Sequence, residues 1–236
     1  MDYSGKFFPD MQPLNVFVVA LIAMLVCAAF GTVTGFFIAY LNVPPFIATL
    51  AMMEIVYGIG LIVTNATPLG GYVEQYTNVS NGKFLGINYL IWIAIIVAAI
   101  TWFIFNMTRH GKYKYAIGGN PQAAEVAGVP VKATLILIYM KAAAMYGLAG
   151  FMLGAKAGGA SVQTGYGYEM EAIAACTIGG VSVTGGRGKV SSAIIGVAVF
   201  ELLKVALQYL GMNANAQYIA CLLYTSDAAD DLIGVD

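Results

Sequence analysis

From Met11 to Met53 the chain carries no charged side chain, and apolar surface that continuous has to be removed from water. One membrane crossing needs about 20 apolar residues, so the run is too long for one span and about right for two. The break falls at Asn42-Val43-Pro44-Pro45, where paired prolines end one helix and can open the next. Spans are therefore expected over residues 14–41 and 45–64. At about 1.5 Å per residue the first reaches about 42 Å, so it crosses with tilt or with its ends outside the hydrocarbon. Gly31 and Gly35 give it a small-residue face that lets another helix come close.

The rest of the chain has the same character. It is 60% hydrophobic and 10% charged, where an average soluble domain is about 25% charged, so the sequence is that of an integral membrane protein. A net charge of −1 says nothing about nucleic acid, and no basic run supports binding to it, so no nucleic-acid partner is expected. The three cysteines, Cys27, Cys176 and Cys221, stand in apolar surroundings at unrelated spacings and read as small buried side chains.

Residues 65–86 are polar and turn-rich and read as an extramembrane loop. A third span is expected over 89–107, with Trp92 and Trp102 toward its ends as interfacial aromatics. Arg109, His110, Lys112 and Lys114 follow it, and Lys132 lies in the same loop. By the positive-inside rule residues 108–132 are cytoplasmic. Counting back puts residues 1–13 outside; counting forward, residues 133–155 cross outward and 156–168 form a Gly-rich external loop.

Residues 172–186 are uncharged but make only about 22 Å of helix, short of the roughly 30 Å hydrocarbon core. A broken, glycine-interrupted crossing fits, because irregular backbone at membrane depth is tolerated where protein or a cavity surrounds it. Arg187 and Lys189 then lie inside, and residues 190–210 return outward. Another crossing begins at Gln217 but is stopped by Asp227, Asp230 and Asp231, each costing about 2.5–3.5 kcal/mol at the bilayer centre. Residues 1–220 are accordingly expected to form one membrane domain, and residues 221–236 to be foreign sequence.

One short stretch of the cytoplasmic loop is sharply punctuated. Asn120 is a good N-cap and Pro121 suits the first helical position. Gln122, Ala123, Ala124 and Glu125 favour helix, and Gly128 supplies a left-handed stop before Pro130. A helix of about two turns cannot repay nucleation alone, so it is expected to rest on something.

No catalytic constellation is visible. His110 is the only histidine and reads as a solvated loop residue, which leaves no metal cluster and no Ser/His arrangement; no cofactor is expected. Gly186-Arg187-Gly188-Lys189 resembles a phosphate loop but has Val183 where the first glycine is needed and Val190 where Ser or Thr would follow the lysine. ATP, if used, must bind to a partner. Glu54, Lys141, Glu201 and Lys204 fall within spans. Mutual pairing in a bundle interior and a place along a transport path are both open to them. Glu169 and Glu171, two apart, do not share a helical face and read as a solvated pair at a helix start, with a place along a transport path or intramembrane pairing also open to them.

Several segments together resemble a known family: Tyr115-Ala-Ile-Gly-Gly-Asn-Pro-Gln-Ala-Ala124 with Gly128-Val129, Tyr168-Glu-Met-Glu-Ala-Ile-Ala-Ala175, Ile178-Gly-Gly-Val-Ser182 with Gly185-Gly186, and Pro45-Phe-Ile-Ala-Thr-Leu50. Over residues 12–220 the chain is similar to the permease subunits of bacterial ABC importers for monosaccharides, nearest to those for galactose and methyl galactosides and more distantly to ribose permeases. The resemblance implies an all-α polytopic bundle in the inner membrane. It also implies an ABC ATPase subunit as partner, a second permease copy, a periplasmic sugar-binding protein and surrounding lipid. Members carry further spans, so residues 1–220 are expected to be an incomplete permease domain. The helix after Asn120 would be the coupling helix that docks on the ATPase. It has Gln122-Ala123-Ala124 and then Gly128, where the family tends to Glu-Ala-Ala, three residues and Gly. A pentose or nucleoside permease, an ATP-independent secondary transporter using Lys141 and Glu201 as coupling sites, and a membrane-embedded enzyme are the alternatives.

Overall fold

The computed structural model describes residues 15–212 apart from residues 71, 73, 183 and 184. The expected interruption at residues 225–231 and the foreign segment 221–236 lie outside the described residues. Those described are mostly helical, with two short two-stranded ribbons and irregular connections between the elements. Among the described residues, five helices are long and apolar enough to cross a membrane. They are α1 (Val16–Leu41), α2 (Pro45–Thr64), α4 (Tyr89–Met107), α7 (Val131–Ala157) and α9 (Val190–Tyr209). Shorter helices are α3 (Glu74–Asn81), α5 (Arg109–Gly119), α6 (Pro121–Val126) and α8 (Tyr168–Ile178). The chain is a polytopic transmembrane helical bundle. It divides into two compact units, Met1–Val97 with Pro130–Gly165, and Ala98–Val129 with Tyr166–Asp236.

In the first unit, α1 ends where Asn42 takes the left-handed conformation (φ 53°), a conformation asparagine tolerates better than most residues. Pro45 opens α2 at its first position. Helix α1 then packs on α7 almost backbone to backbone. A Cβ at Gly31 would collide with the Ala143 side chain and stand 2.5 Å from the Tyr139 carbonyl oxygen, and one at Gly35 would be 2.8 Å from Ile136 Cα. From the other side, a Cβ at Gly147 would be 2.7 Å from the Ala23 oxygen. Positions rising along α1 meet positions falling along α7, so the two are antiparallel. In a bilayer, where burying apolar surface drives nothing, close approach of small residues is what holds two helices together.

Both expected external loops prove to contain structure. Helix α3 lies against α7, where the Tyr76 hydroxyl donates to the Phe151 carbonyl at 2.6 Å over the space left by Gly154. Burial pushes the Tyr76 phenol up to about 12, so it remains a donor at any physiological pH. Strand β1 (Leu69–Gly70) pairs antiparallel with β4 (Gly159–Ala160), and β2 (Lys83–Phe84) with β3 (Ile87–Asn88). Tyr76→Phe removes one hydrogen bond and should lower stability by about 1 kcal/mol, which a thermal melt of the purified protein in detergent would resolve.

In the second unit, α8 begins at Tyr168, earlier than the uncharged stretch suggested, and stops after 11 residues. That is about 16 Å of helix, and the described residues 179–182 and 185–189 after it are not helical, so the crossing is broken. Helices α8 and α9 run antiparallel through glycines: a Cβ at Gly196 would collide with the Ala175 carbonyl and one at Gly179 with the Ser192 carbonyl. Ala174, Ala175 and Phe200 form the core of this pair.

Candidate functional site

The basic stretch after α4, expected as loop, is helix α5. The Thr108 Oγ1 caps it by accepting from the Gly111 N–H at 3.3 Å, and Gly111 is needed because any Cβ would strike the Phe105 carbonyl. His110 accordingly stands on a helix and is half-buried, not free in a solvated loop. Lys114 Nζ sits 4.1 Å from the centre of the Phe105 ring, a contact that covers the aromatic face at the end of α4.

Helix α6 follows after one extended residue, Asn120. Its caps are local and complete. The Asn120 Oδ1 accepts from the Ala123 N–H at 3.0 Å, Pro121 occupies the first turn, and Gly128 is left-handed (φ 83°). The Gly128 N–H donates to the Glu125 carbonyl and the Val129 N–H to the Ala124 carbonyl, both at 3.0 Å, the paired bonds of a Schellman stop. Ala124 is buried, while Pro121, Gln122, Ala123, Glu125, Val126, Ala127 and Gly128 are exposed. Val126 is 90% exposed, an apolar knob that the pattern Gln-Ala-Ala-x-x-x-Gly did not single out. Its signal in the sequence is an apolar residue between Glu125 and the stop.

Two glycine pairs meet at the root of α6. A Cβ on Gly118 would be 2.5 Å from Gly186 N; a Cβ on Gly186 would be 2.8 Å from Gly119 N and 2.9 Å from Gly119 Cα. Gly185 and Gly186 also have positive φ, 95° and 74°. The Tyr115 hydroxyl donates to the Gly188 carbonyl at 2.8 Å. The irregular segment after α8 is thus clasped by backbone to the helix that carries α6. Helix α6 lies against α5, with Ala124 its one buried residue.

The ionisable residues of the spans separate into two groups. Lys204 on α9 bridges Glu171 Oε2 on α8 at 2.9 Å and, weakly, Glu201 Oε1 at 4.0 Å. Side chains of Lys204 and Glu171 are 27% and 15% exposed, against 59% for Glu201. Glu171 is not the solvated residue expected, and its Oε1 is buried without a hydrogen-bond partner. Glu169 and Glu171 lie inside the first turn of α8, where negative charge is favoured by the helix dipole. Glu169 makes no ion pair among the described residues, nor do Glu54 and Lys141. No group of three or more metal-ligating side chains occurs among the described residues.

A family profile described as branched-chain amino acid transport system / permease component matches residues 3–225. The galactose/methyl galactoside import permease protein MglC of Escherichia coli (strain K12) is 40% identical over 226 residues, covering 93% of this chain and 67% of the relative. MglC of Treponema pallidum (strain Nichols) is 37% identical over 90% of this chain and 42% of its own length. The ribose import permease protein RbsC of Escherichia coli (strain K12) is 35% identical over 87% of this chain and 65% of its own length. No solved structure matches the chain at a significant level.

Proposed function

This chain belongs to the family of branched-chain amino acid transport system permease components, and from that premise we propose that it is the transmembrane subunit of an ATP-binding-cassette importer for galactose or a methyl galactoside in a bacterial inner membrane. The identity with import permeases over 93% of the chain supports the transport class and the sugar. On this reading residues 1–220 act as a permease domain and catalyse no covalent step. ATP is hydrolysed by a partner subunit, a periplasmic binding protein delivers the sugar, and a second permease copy completes the path.

The observation that carries the mechanism is α6. It is fixed at both ends by its own caps, exposed along its outer side with Val126 and the small residues Ala123 and Ala127, and seated on α5. Small side chains let a partner come close, and a helix without fraying ends transmits displacement as a rigid body. The clasp of Gly118 and Gly119 with Gly185 and Gly186 would carry that displacement to the irregular segment between α8 and α9. ATP binding on one side of the membrane would in this way be felt inside the broken crossing. The sugar then moves by alternating access, as one opening closes and the other forms.

The test is uptake into vesicles containing the permease with its ATPase subunits and binding protein. ATP-dependent accumulation of galactose, in preference to ribose, is the expected result; accumulation driven by a proton or sodium gradient alone would remove the importer reading. Gly128→Val places a β-branched residue at a positive φ, which costs about 1–3 kcal/mol and loosens the stop of α6. It should uncouple ATP hydrolysis from uptake while membrane insertion stays intact, and unchanged coupling would take away the role given to α6.

A further inference from the structure

Glu54 and Lys141 are opposite charges within membrane spans, and neither forms an ion pair among the described residues. Glu54 is exposed on α2, a helix with no buried residue. Lys141 is half-exposed on α7. At 100° per residue it lies nearly opposite Tyr139 and Ala143, the positions of α7 that meet Gly31, and so on the side of α7 turned away from α1.

The two also share a depth. Helix α1 ends next to the start of α7, since Lys132 Nζ stands 5.1 Å from the Tyr40 ring centre, and α2 begins directly after α1. Both α2 and α7 therefore start at the same face of the membrane. Glu54 lies about 14 Å along α2 and Lys141 about 15 Å along α7, each near the middle of a hydrocarbon core of about 30 Å. Left facing lipid, each charge would cost about 2.5–3.5 kcal/mol on the insertion scale.

We propose that Glu54 on α2 of one copy pairs with Lys141 on α7 of a second copy, and that the same contact repeats across a two-fold axis. A twofold-symmetric interface uses one patch twice, so a single complementary contact between these surfaces neutralises two acids and two lysines at mid-membrane. This names the face by which two permease copies associate and rests on the two-copy importer reading above.

The experiment uses the chain in native membranes, with Cys27, Cys176 and Cys221 replaced by alanine. One tagged copy carries Glu54→Cys and a differently tagged copy Lys141→Cys. A short bis-thiosulfonate cross-linker is used, because residues joined through long charged side chains stand too far apart for a disulfide. A cross-linked product carrying both tags, absent when either variant is expressed alone, is expected. Glu54→Lys or Lys141→Glu alone should reduce the co-purifying second copy at least about tenfold, and the double exchange should restore it to within about twofold. Absence of the mixed product, with both copies inserted and ATP-driven uptake intact, would overturn the pairing and leave the importer reading standing. Glu54→Gln and Lys141→Gln variants that still associate but change which sugar enters would also overturn it, placing both residues on the path. The mixed product without any ATP-driven uptake would support the pairing and remove the importer reading.

Discussion

Gly186→Val is expected to abolish ATP-driven uptake, by at least about tenfold, in a protein that still inserts. The residue has φ 74°, where a side chain costs about 1–3 kcal/mol. Its Cβ would in addition lie within 3.0 Å of three backbone atoms of Gly118 and Gly119. Backbone cannot swing aside as a flexible side chain can, so relief requires moving the 179–189 segment off the end of α5, at a further cost of about 1–3 kcal/mol. Gly180 provides the control. Its φ is 77°, but a Cβ there meets nothing within 4 Å, so Gly180→Val suffers the conformational strain alone. Uptake and ATP hydrolysis measured in vesicles for both variants separate docking from strain. Equal losses in the two would show that the contact with Gly118 and Gly119 transmits nothing.

Lys204→Ala should be the most damaging change on α9. It leaves the Glu171 carboxylate, already with one orphaned oxygen, without its cation in the interior of the α8–α9 pair. Stranding one charge of a partly buried, hydrogen-bonded ion pair costs about 1–3 kcal/mol, a large share of the stability of most domains. The yield of monodisperse protein on size-exclusion chromatography should collapse for Lys204→Ala. It should recover largely in Lys204→Met combined with Glu171→Gln, where no charge remains to be stranded. Glu201→Ala should change little, since that carboxylate is mostly exposed and stands 4.0 Å from Lys204, a geometry whose worth in solvent is about 0–1 kcal/mol. A Glu201→Ala loss as deep as that of Lys204→Ala would reverse the assignment of partners.

What could be read from the sequence was local. The spans at Pro45–Thr64 and Tyr89–Met107 end where prolines, asparagines and the change in polarity say they must. Asn120, Pro121 and Gly128 declare their helix because caps are decided within a few residues. Gly31 and Gly35 announced a close approach without naming α7 as the partner. The rest depended on contacts far apart in the chain. Helix α5 was hidden by its charge and by Gly111, Gly118 and Gly119, glycines that lower helix propensity, although Gly111 makes room for the Phe105 carbonyl and Gly118 for Gly186. Glu171 and Lys204 stand 33 residues apart with no sequence relation, so nothing local pairs them. The strands β1 and β4 are two residues each, too short to carry any alternation.

Helices α2 and α4 bury no residue within the chain, and this bears on how the protein has to be handled. Their apolar sides are solvated by whatever surrounds them, so acyl chains and neighbouring subunits act as ligands of the native state in the sense of mass action. A melting temperature taken in a micelle will report the amphiphile and the protein concentration together with the fold. Lipid supplied back to the sample should raise that temperature in proportion to the logarithm of its concentration, as a bound cofactor would.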